Sequence, residues 1–411
     1  MTHYDVLIIG SGPAGLFAAI SLSNSGLTVG ILEKNKSVGR KLLITGGGKC
    51  NLTQNLPANE LIHHYGTNTN FVKPSLYAFS STDFRNFLHE NKLSTVVVEN
   101  GKVFPQSMKA TEFVNLLEKL CRENGIDILT QVEVTGVSKS DELFEIITNN
   151  AVFSSKYLII ATGGLTYPQT GSTGDGFIFA KNFGHKIRPT KFALAPLNIR
   201  NFDMVSLSGL SFSNISFTHW RNNKKIGEFW GDILITHRGV SGPGIMDASR
   251  SLVRGDVIKI NFLPLTVEEA KKALVDRFNA GGRTLVRAVV NETGLPKRLV
   301  DYFLTTAGIS FALKCAELSK VLRIQLISLL TEYVMEIKEV GTANNAMVTA
   351  GGVSLKEVNS KTMESRKVTG LYFAGEVLDV DGDTGGYNIQ IAVSMGRAAS
   401  LAIKSKEKER S

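Results

Sequence analysis

The first 33 residues constrain the fold more than any other stretch of the chain. An apolar run from Val6 to Ile9 predicts a buried parallel strand, and it stops at Gly10. Gly10, Gly12 and Gly15 then have the G-x-G-x-x-G spacing and lead into a helical segment. A second apolar run, residues 28–32, ends in an acid. This order of strand, glycine turn, helix, strand and acid predicts a Rossmann-like dinucleotide-binding unit.

Each residue type in this unit has a physical role. Gly10 allows a tight turn, Gly12 lets a pyrophosphate approach the backbone, and Gly15 lets helix and strand pack closely. The helix N-terminus offers free N–H groups to the phosphates, and the acid, Glu33, can accept the ribose hydroxyls of an adenosine. The alternative is a glycine-rich turn with a surface Glu33, and the ordered context favours the dinucleotide site.

Length and cysteine content restrict the class of protein. A chain of 411 residues is too long for a single hydrophobic core, so we expect two or three domains. Its cysteines, Cys50, Cys121 and Cys315, are few, odd in number and far apart, which argues against a disulfide framework and a zinc site. No signal peptide and no apolar stretch of bilayer-spanning length is recognisable. We therefore expect a cytoplasmic protein with no bound metal and no membrane partner.

The formal net charge of +9 has two interpretations. The plainer one is solubilising charge spread along the chain. The other is a polyanionic partner such as RNA, because basic surfaces gain affinity by releasing counterions from phosphates.

A glycine-rich segment, residues 38–51, follows the first unit. Three consecutive glycines, residues 46–48, suit a loop whose backbone lies against a flat ligand, and Arg40 and Lys41 could neutralise a pyrophosphate. Residues 52–80 are interpreted as an irregular surface excursion, in which His63 and His64 are solvated loop residues.

Later segments add ligand-binding signals. A buried strand, residues 157–161, ends in Thr162-Gly163, and another, residues 371–374, ends in Gly375-Glu376. A helix from about Ile389 to residue 403 begins beside Gly385-Gly386, and its N-terminus could stabilise negative charge on a bound cofactor.

The middle of the chain has a different character. Residues 192–262 alternate in a β pattern and predict an inserted β-rich domain, whereas residues from Thr266 to about 337 predict helices. The helical block carries basic residues with acids between them. They belong either to a solvated helical face or to a nucleic-acid or partner-binding appendage, and they are Lys271, Lys272, Arg277, Arg283, Arg287, Lys297, Arg298 and Arg323.

Three motifs together resemble one family. They are GRKLLITGGGKCNLT at residues 39–53, TAGGV at 349–353 and GEVLDVDGDTGGYNIQ at 375–390. Through them the chain resembles the HI0933-like (YhiN/BaiN) family of bacterial FAD-dependent flavoproteins. The resemblance implies an α/β fold, a Rossmann-like two-dinucleotide-type FAD domain with an inserted β-rich domain that carries a helical subdomain.

We expect the following domain bounds. The FAD-binding domain comprises residues 1–190 and 353–411, the β-rich domain residues 191–264 and 338–352, and the helical insertion residues 265–337.

FAD is the expected cofactor, and NAD(P)H is the expected transient reductant because only one dinucleotide fingerprint is present. The residues expected to contact FAD are Gly10, Ser11, Gly12, Pro13, Ala14, Gly15, Glu33, Lys34, Arg40, Lys41, Gly47, Gly48, Val132, Ala161, Thr162, Gly163, Gly375, Glu376, Asp383, Gly386, Tyr387, Asn388 and Ile389.

Three functions remain open for such a flavoprotein. The first is a reductase that transfers hydride to a C=C bond, with uridine in large-subunit ribosomal RNA as the candidate substrate and dihydrouridine as the product. The second is a small-molecule ene reductase or amine oxidase, and the third is a flavin redox sensor without turnover. Cys50 is the first candidate proton donor, and its alternative role is that of a small packed side chain beside the glycine loop. His237 in a strand-to-loop turn is the second candidate, with a hydrogen-bonded structural histidine as the alternative. Tyr387 is a residue that orients flavin or substrate.

Overall fold

The computed structural model describes residues 1–410. The chain divides into two compact units. Unit 1 contains Met1–Phe192 and the C-terminal segment from Ala346, and unit 2 is Ala193–Asn345. Each unit has its own apolar core.

Unit 1 begins with the predicted strand, turn, helix and strand. These elements are β1 (Thr2–Ile9), α1 (Pro13–Ser21), β2 (Val29–Glu33) and the short α2 (Arg40–Ile44). β1 and β2 are parallel, with Val6 opposite Val29 and Ile9 opposite Leu32. The turn depends on Gly10, which has a φ of +103° and whose added Cβ would lie 2.6 Å from the Ala161 carbonyl oxygen.

The next segment contradicts the expected irregular excursion at residues 52–80. It contains β3 (Thr53–Gln54), α3 (Ala58–Leu61), α4 (Thr69–Ala78), α5 (Ser81–Glu90), β4 (Thr95–Val97) and β5 (Lys102–Pro105). Tyr65, Val72 and Leu76 are buried in the core of unit 1. This burial stabilises helical structure in a segment whose polar residues and Pro74 do not favour a helix. A capping box between Ser80 and Asp83 starts α5.

A helix and four strands then complete most of the sheet. They are α6 (Ala110–Glu123), β6 (Asp127–Thr130), β7 (Val134–Ser140), β8 (Leu143–Thr148) and β9 (Val152–Ile160), followed by α7 (Asp175–Asn182) and β10 (Ile187–Ala193). The buried strand predicted at residues 157–161 is the end of a longer strand, β9, which pairs in parallel with β1 and antiparallel with β8.

Unit 2 is a closed six-stranded barrel with helices. Its elements are β11 (Leu197–Ile199), β12 (Ser211–Arg221), β13 (Lys224–Ile235), β14 (Gly239–Ser241), α8 (Pro243–Ala248), β15 (Val257–Asn261), α9 (Val267–Ala280), α10 (Val286–Asn291), α11 (Lys297–Thr306), α12 (Lys320–Thr331) and β16 (Tyr333–Val340). The strand order around the barrel is β11-β14-β13-β12-β15-β16.

Two helical expectations in unit 2 are wrong. The helical stretch predicted to about residue 337 ends at Thr331, because the alternating residues Tyr333, Met335 and Ile337 are buried in the barrel as β16. The residues from Leu313 to Ser319 contain only a short 3₁₀ turn, Cys315–Glu317, before α12 begins.

The chain then returns to unit 1 as β17 (Val348–Val353), β18 (Leu371–Phe373) and α13 (Tyr387–Arg410). β18 joins β9 in parallel, and the sheet order is β6-β2-β1-β9-β8-β7. β17 pairs with β10, so the boundary between the units falls at residues 345 and 346 rather than at 352. α13 packs directly on α1, since the Ser400 hydroxyl donates to the Ala18 carbonyl at 2.7 Å.

The parallel strands of unit 1 and the barrel with helices in unit 2 confirm the predicted α/β fold class. Among residues 1–410, none of the helices combines the length and the apolar character that crossing a bilayer requires.

Candidate functional site

The first glycine motif forms an open cradle at the start of α1. A Cβ added to Gly15 would lie 2.0 Å from the Gly10 carbonyl oxygen, so packing excludes any side chain there. At Gly12, by contrast, an added Cβ would meet none of the described atoms within 4 Å. No side chain of the described residues caps the N-terminus of α1, whose first turn therefore presents backbone N–H groups. This cradle fits a pyrophosphate.

Glu33 ends β2 beside the cradle, and its side chain is only 7% exposed. One carboxylate oxygen accepts from the backbone N–H and the hydroxyl of Ser11, at 3.1 and 2.5 Å. The other accepts from the backbone N–H and the side-chain amide of Asn35, at 2.8 and 2.6 Å. A ribose can bind this carboxylate if its hydroxyls replace the two side-chain donors. The backbone N–H of Val132 is already bonded to the Glu33 carbonyl at 3.0 Å.

The three cations expected near the cofactor all have protein partners. Arg40 donates to the Asn35 side chain at 3.0 Å, and Lys34 pairs with Asp175 at 2.5 Å. Lys41 pairs with Glu376 at 2.8 Å and also donates to Thr166. The structure thus brings together two residues that the sequence placed separately, at the glycine loop and after β18. Their contacts with FAD stay predictions.

The glycine loop is left-handed throughout, with φ values of +56° at Gly46, +65° at Gly47 and +86° at Gly48. Cys50 follows this loop, and the structure contradicts its role as proton donor. Its side chain has 0% exposure and lies in the core of unit 1, and burial raises the pKa of the thiol to about 12. A thiol so enclosed cannot contact a substrate, and Cys50 is a packing residue.

Gly386, just before α13, packs closely against the segment that follows the glycine loop. A Cβ added to Gly386 would lie 2.8 Å from the Thr53 backbone and 2.9 Å from the side-chain oxygen of Asn51. That oxygen is buried and has no hydrogen-bond partner among residues 1–410. Buried acceptors are rarely left unpaired, so a ligand with an N–H donor is the natural partner. The pyrimidine portion of a flavin carries such a donor, and Asn51 is a candidate contact that the sequence analysis did not select.

Asn388 and the end of β9 complete the set of predicted contacts. The Asn388 side chain accepts from the Gly382 N–H at 2.8 Å and donates to the Gly382 carbonyl at 2.9 Å, which holds the loop before α13. After β9, the Thr162 hydroxyl oxygen is buried and has no partner within the described part of the chain. Gly375 approaches α1 closely, because its added Cβ would lie 3.0 Å from the Ala14 Cβ. Ala161 and Ile389 are buried, and Gly163 has a positive φ.

His64 was interpreted as a solvated loop residue, and the structure contradicts this. Its ring stacks on Tyr387 with centroids 4.3 Å apart, and its Nδ1 lies 2.9 Å from Asp383. Asp383 is 319 residues away in sequence, so no local pattern could have indicated this pair. The preceding residue, His63, is exposed as expected.

Tyr387 and His237 have different surroundings. Tyr387 is the first residue of α13 and is buried beneath His64, and its orienting role stays a prediction. His237 is exposed in unit 2, between β13 and β14, and stays a prediction.

The basic residues of the helical block are only partly engaged. Arg287 pairs with Asp301 at 2.7 Å, Lys271 contacts Glu332, and Arg323 donates to Asn279. Arg298 donates to the Ser206 carbonyl. The remaining four are exposed, namely Lys272, Arg277, Arg283 and Lys297. Both interpretations of this block stay open.

The relatives that match the chain over nearly its whole length include proteins with two different names. One is the Haemophilus influenzae protein named Ribosomal RNA dihydrouridine synthase, 34% identical, with 98% of this chain and 99% of the relative covered. Another is the Clostridium scindens 3-dehydro-bile acid delta(4,6)-reductase, 31% identical, with 96% and 98% covered.

A solved structure is similar in fold. It is 3-ketosteroid delta1-dehydrogenase from Sterolibacterium denitrificans, with a TM-score of 0.53, 11% identity, and 99% of this chain and 100% of that chain covered. The model of the HI0933-like protein Rossmann domain matches residues 4–402. Because this match covers nearly the whole sequence, the chain belongs to the HI0933-like family of FAD-dependent flavoproteins.

Proposed function

We propose that this protein is a reductase that converts uridine to dihydrouridine in large-subunit ribosomal RNA. The observation that carries the proposal is the near full-length similarity to the Haemophilus influenzae protein named Ribosomal RNA dihydrouridine synthase. Bound FAD, in its reduced form, would supply the hydride for the uracil C5=C6 bond.

The residues of unit 1 hold the cofactor in this proposal. Gly12 and the first turn of α1 bind the pyrophosphate, and Glu33 binds the adenosine ribose in exchange for its contacts with Ser11 and Asn35. Asn51 accepts from the flavin pyrimidine, and the N-terminus of α13 stabilises negative charge on that ring.

The remaining requirements concern the substrate and the reductant. Uridine must leave its stack before its ring can reach the flavin, as in other base-directed enzymes. The net charge of +9 supports binding to a polyanion. We expect NAD(P)H to dock transiently, and we place the reaction in the cytoplasm, where ribosomal RNA is assembled.

A second candidate function is reduction of a C=C bond in a small molecule. The 31% identity to the Clostridium scindens bile acid reductase supports it, and the chemistry of hydride addition to a polarised double bond is shared. The two functions differ in the substrate, RNA or a small molecule, and in the protein surface that binds it.

One anaerobic experiment separates these functions. Purified holoprotein is reduced with dithionite and mixed with large-subunit ribosomal RNA that lacks dihydrouridine, and flavin absorbance and RNA dihydrouridine are followed. The control is ribosomal RNA in which the uridines that the enzyme would reduce are already dihydrouridine. Reoxidation with dihydrouridine formation, absent in the control, is the expected result. If RNA leaves the flavin reduced while a small cyclic enone oxidises it, the RNA function is refuted and the small-molecule reductase is supported. If neither oxidises it, both reductase proposals fail.

A further inference from the structure

We propose that His64 is the acid that protonates the substrate carbon and that Asp383 is its positioning residue. The inference rests on the proposed reductase function, because adding hydride to a C=C bond leaves the neighbouring carbon in need of a proton. It assigns that proton to a residue pair that the sequence did not reveal.

The two residues are joined by more than one contact. His64 Nδ1 lies 2.9 Å from an Asp383 carboxylate oxygen, and the Asp383 backbone N–H donates to the His64 carbonyl at 3.0 Å. The side chains remain accessible, at 36% for His64 and 30% for Asp383. The imidazole can therefore meet a substrate and exchange protons with solvent.

The pair is held at the N-terminus of α13, the segment assigned to the flavin pyrimidine. The His64 ring stacks on Tyr387 at a centroid distance of 4.3 Å and an interplanar angle of 20°. The Tyr65 hydroxyl donates to the Tyr387 carbonyl at 2.9 Å, and Asn388 holds the loop that carries Asp383. These contacts fix the imidazole plane.

The neighbouring acids are unsuited to the task. Burial, with the nearby Tyr387 and Asp383, raises the pKa of Tyr65 well above its ordinary value, and its hydroxyl is enclosed in the core. Cys50 is also enclosed. His64 differs from both in combining access with a carboxylate partner.

The chemistry follows from that partner. A carboxylate that accepts from Nδ1–H fixes the orientation of the ring, so the proton to be transferred is on Nε2. Hydride addition at C6 breaks the C5=C6 π bond and places its electron pair on C5, which takes the Nε2 proton. The two electrons that uracil gains would come from reduced FAD, which a nicotinamide dinucleotide would reduce again, and solvent would reprotonate His64.

The kinetic test compares His64→Gln and Asp383→Asn with His63→Gln, a matched control at the exposed neighbouring position. Each holoprotein is reduced anaerobically and mixed with ribosomal RNA. We expect His64→Gln to slow substrate-dependent flavin oxidation by about 10²–10⁴-fold, as loss of a general acid does, and Asp383→Asn to slow it less. His63→Gln should match the unsubstituted protein. Imidazole added to His64→Gly should restore part of the rate, which a merely structural role would not allow.

A second readout does not depend on turnover. Proton–nitrogen correlation spectra of ¹⁵N-histidine-labelled holoprotein should show His64 protonated at Nδ1, with the signal assigned by its loss in His64→Gln. Asp383→Asn should change this tautomer, while the FAD content of His64→Gln and His63→Gln should equal that of the unsubstituted protein.

The outcomes separate the two proposals. If RNA is not reduced but a cyclic enone is, the rRNA function fails and the same variants test His64 on the enone. An unslowed His64→Gln, or an Nδ1 that carries no proton, overturns the assignment of His64. If the holoprotein reduces neither acceptor, both proposals fail.

Discussion

Replacing single glycines of the first motif by alanine should separate the cost of folding from the cost of binding FAD. Gly12→Ala places a methyl group in the open cradle, where none of the described atoms lies within 4 Å. Its φ of −73° suits alanine. The small loss at a helix N-cap is offset by the lower entropy of the unfolded chain, so stability should change by less than about 1 kcal/mol. The same methyl group blocks a pyrophosphate, and the FAD dissociation constant should rise at least about tenfold, or about 1.4 kcal/mol.

Gly15→Ala is the matched control on the same helix. Its Cβ would lie 2.0 Å from the Gly10 carbonyl oxygen, and backbone atoms must move to admit it. We expect a loss of stability of about 1–3 kcal/mol, the usual cost of overpacking, and a melting temperature several degrees lower. Thermal unfolding of the FAD-free proteins and fluorescence titration with FAD measure the two effects. Unchanged FAD affinity in Gly12→Ala would refute the cradle as the pyrophosphate site.

Three further predictions concern single side chains. Glu33→Gln should weaken FAD binding by about tenfold, because an amide cannot accept from both ribose hydroxyls and keep the Ser11 and Asn35 contacts, and full flavin retention would contradict this. All three cysteines should resist a thiol reagent at pH 8 until the protein unfolds, since burial raises the pKa of Cys50 and Cys121 to about 12 and also raises that of Cys315; a fast-reacting thiol in the folded protein would be the contrary result. Asp256→Asn should destabilise unit 2 by about 1–2 kcal/mol at neutral pH, because it weakens charged hydrogen bonds to a buried carboxylate while solvent screens the partly exposed Arg221. Burial raises the pKa of Asp256, but hydrogen bonds from Arg221, Val253 and His219 outweigh it and hold that pKa below its usual range. The stabilisation is therefore present above the unfolded pKa of about 4 and is lost as the pH falls below it, so the difference between the proteins should shrink in acid. Both tryptophans, Trp220 and Trp230, lie in unit 2, and urea unfolding followed by their fluorescence reports this difference.

The parts of the fold that sequence predicted are those specified locally. β1, α1 and β2 were predicted from an apolar run, a glycine spacing and a terminal acid, all within 33 residues. The β-type alternation of residues 192–262 likewise predicted strands in the part of the chain that forms unit 2. The fold class followed from these elements, and the family match confirms it.

The parts that were missed depend on distant contacts. Helix α4 contains Pro74 and many polar residues, and only the burial of Val72 and Leu76 in the core of unit 1 makes it favourable. β16 was assigned to a helix because its neighbour α12 continues the helical pattern, whereas pairing with β11 and β15 decides its structure. In the site, Cys50 appeared reactive from its place beside a glycine loop, and burial removes it from that role.

The glycine motif shows how far a sequence signature alone can indicate a ligand. Gly10 and Gly15 are required by packing, since a Cβ at either would collide with the backbone whether or not a cofactor binds. Only Gly12 opens onto empty space, so only this glycine of the motif is explained by a ligand rather than by the fold. The unpaired oxygen of Asn51 gives the same kind of indication at the far end of the site, from a position that no dinucleotide fingerprint includes. The ligand is therefore indicated by groups of the described residues that the fold itself does not require or pair, and it is only in the folded protein that these groups differ from their neighbours.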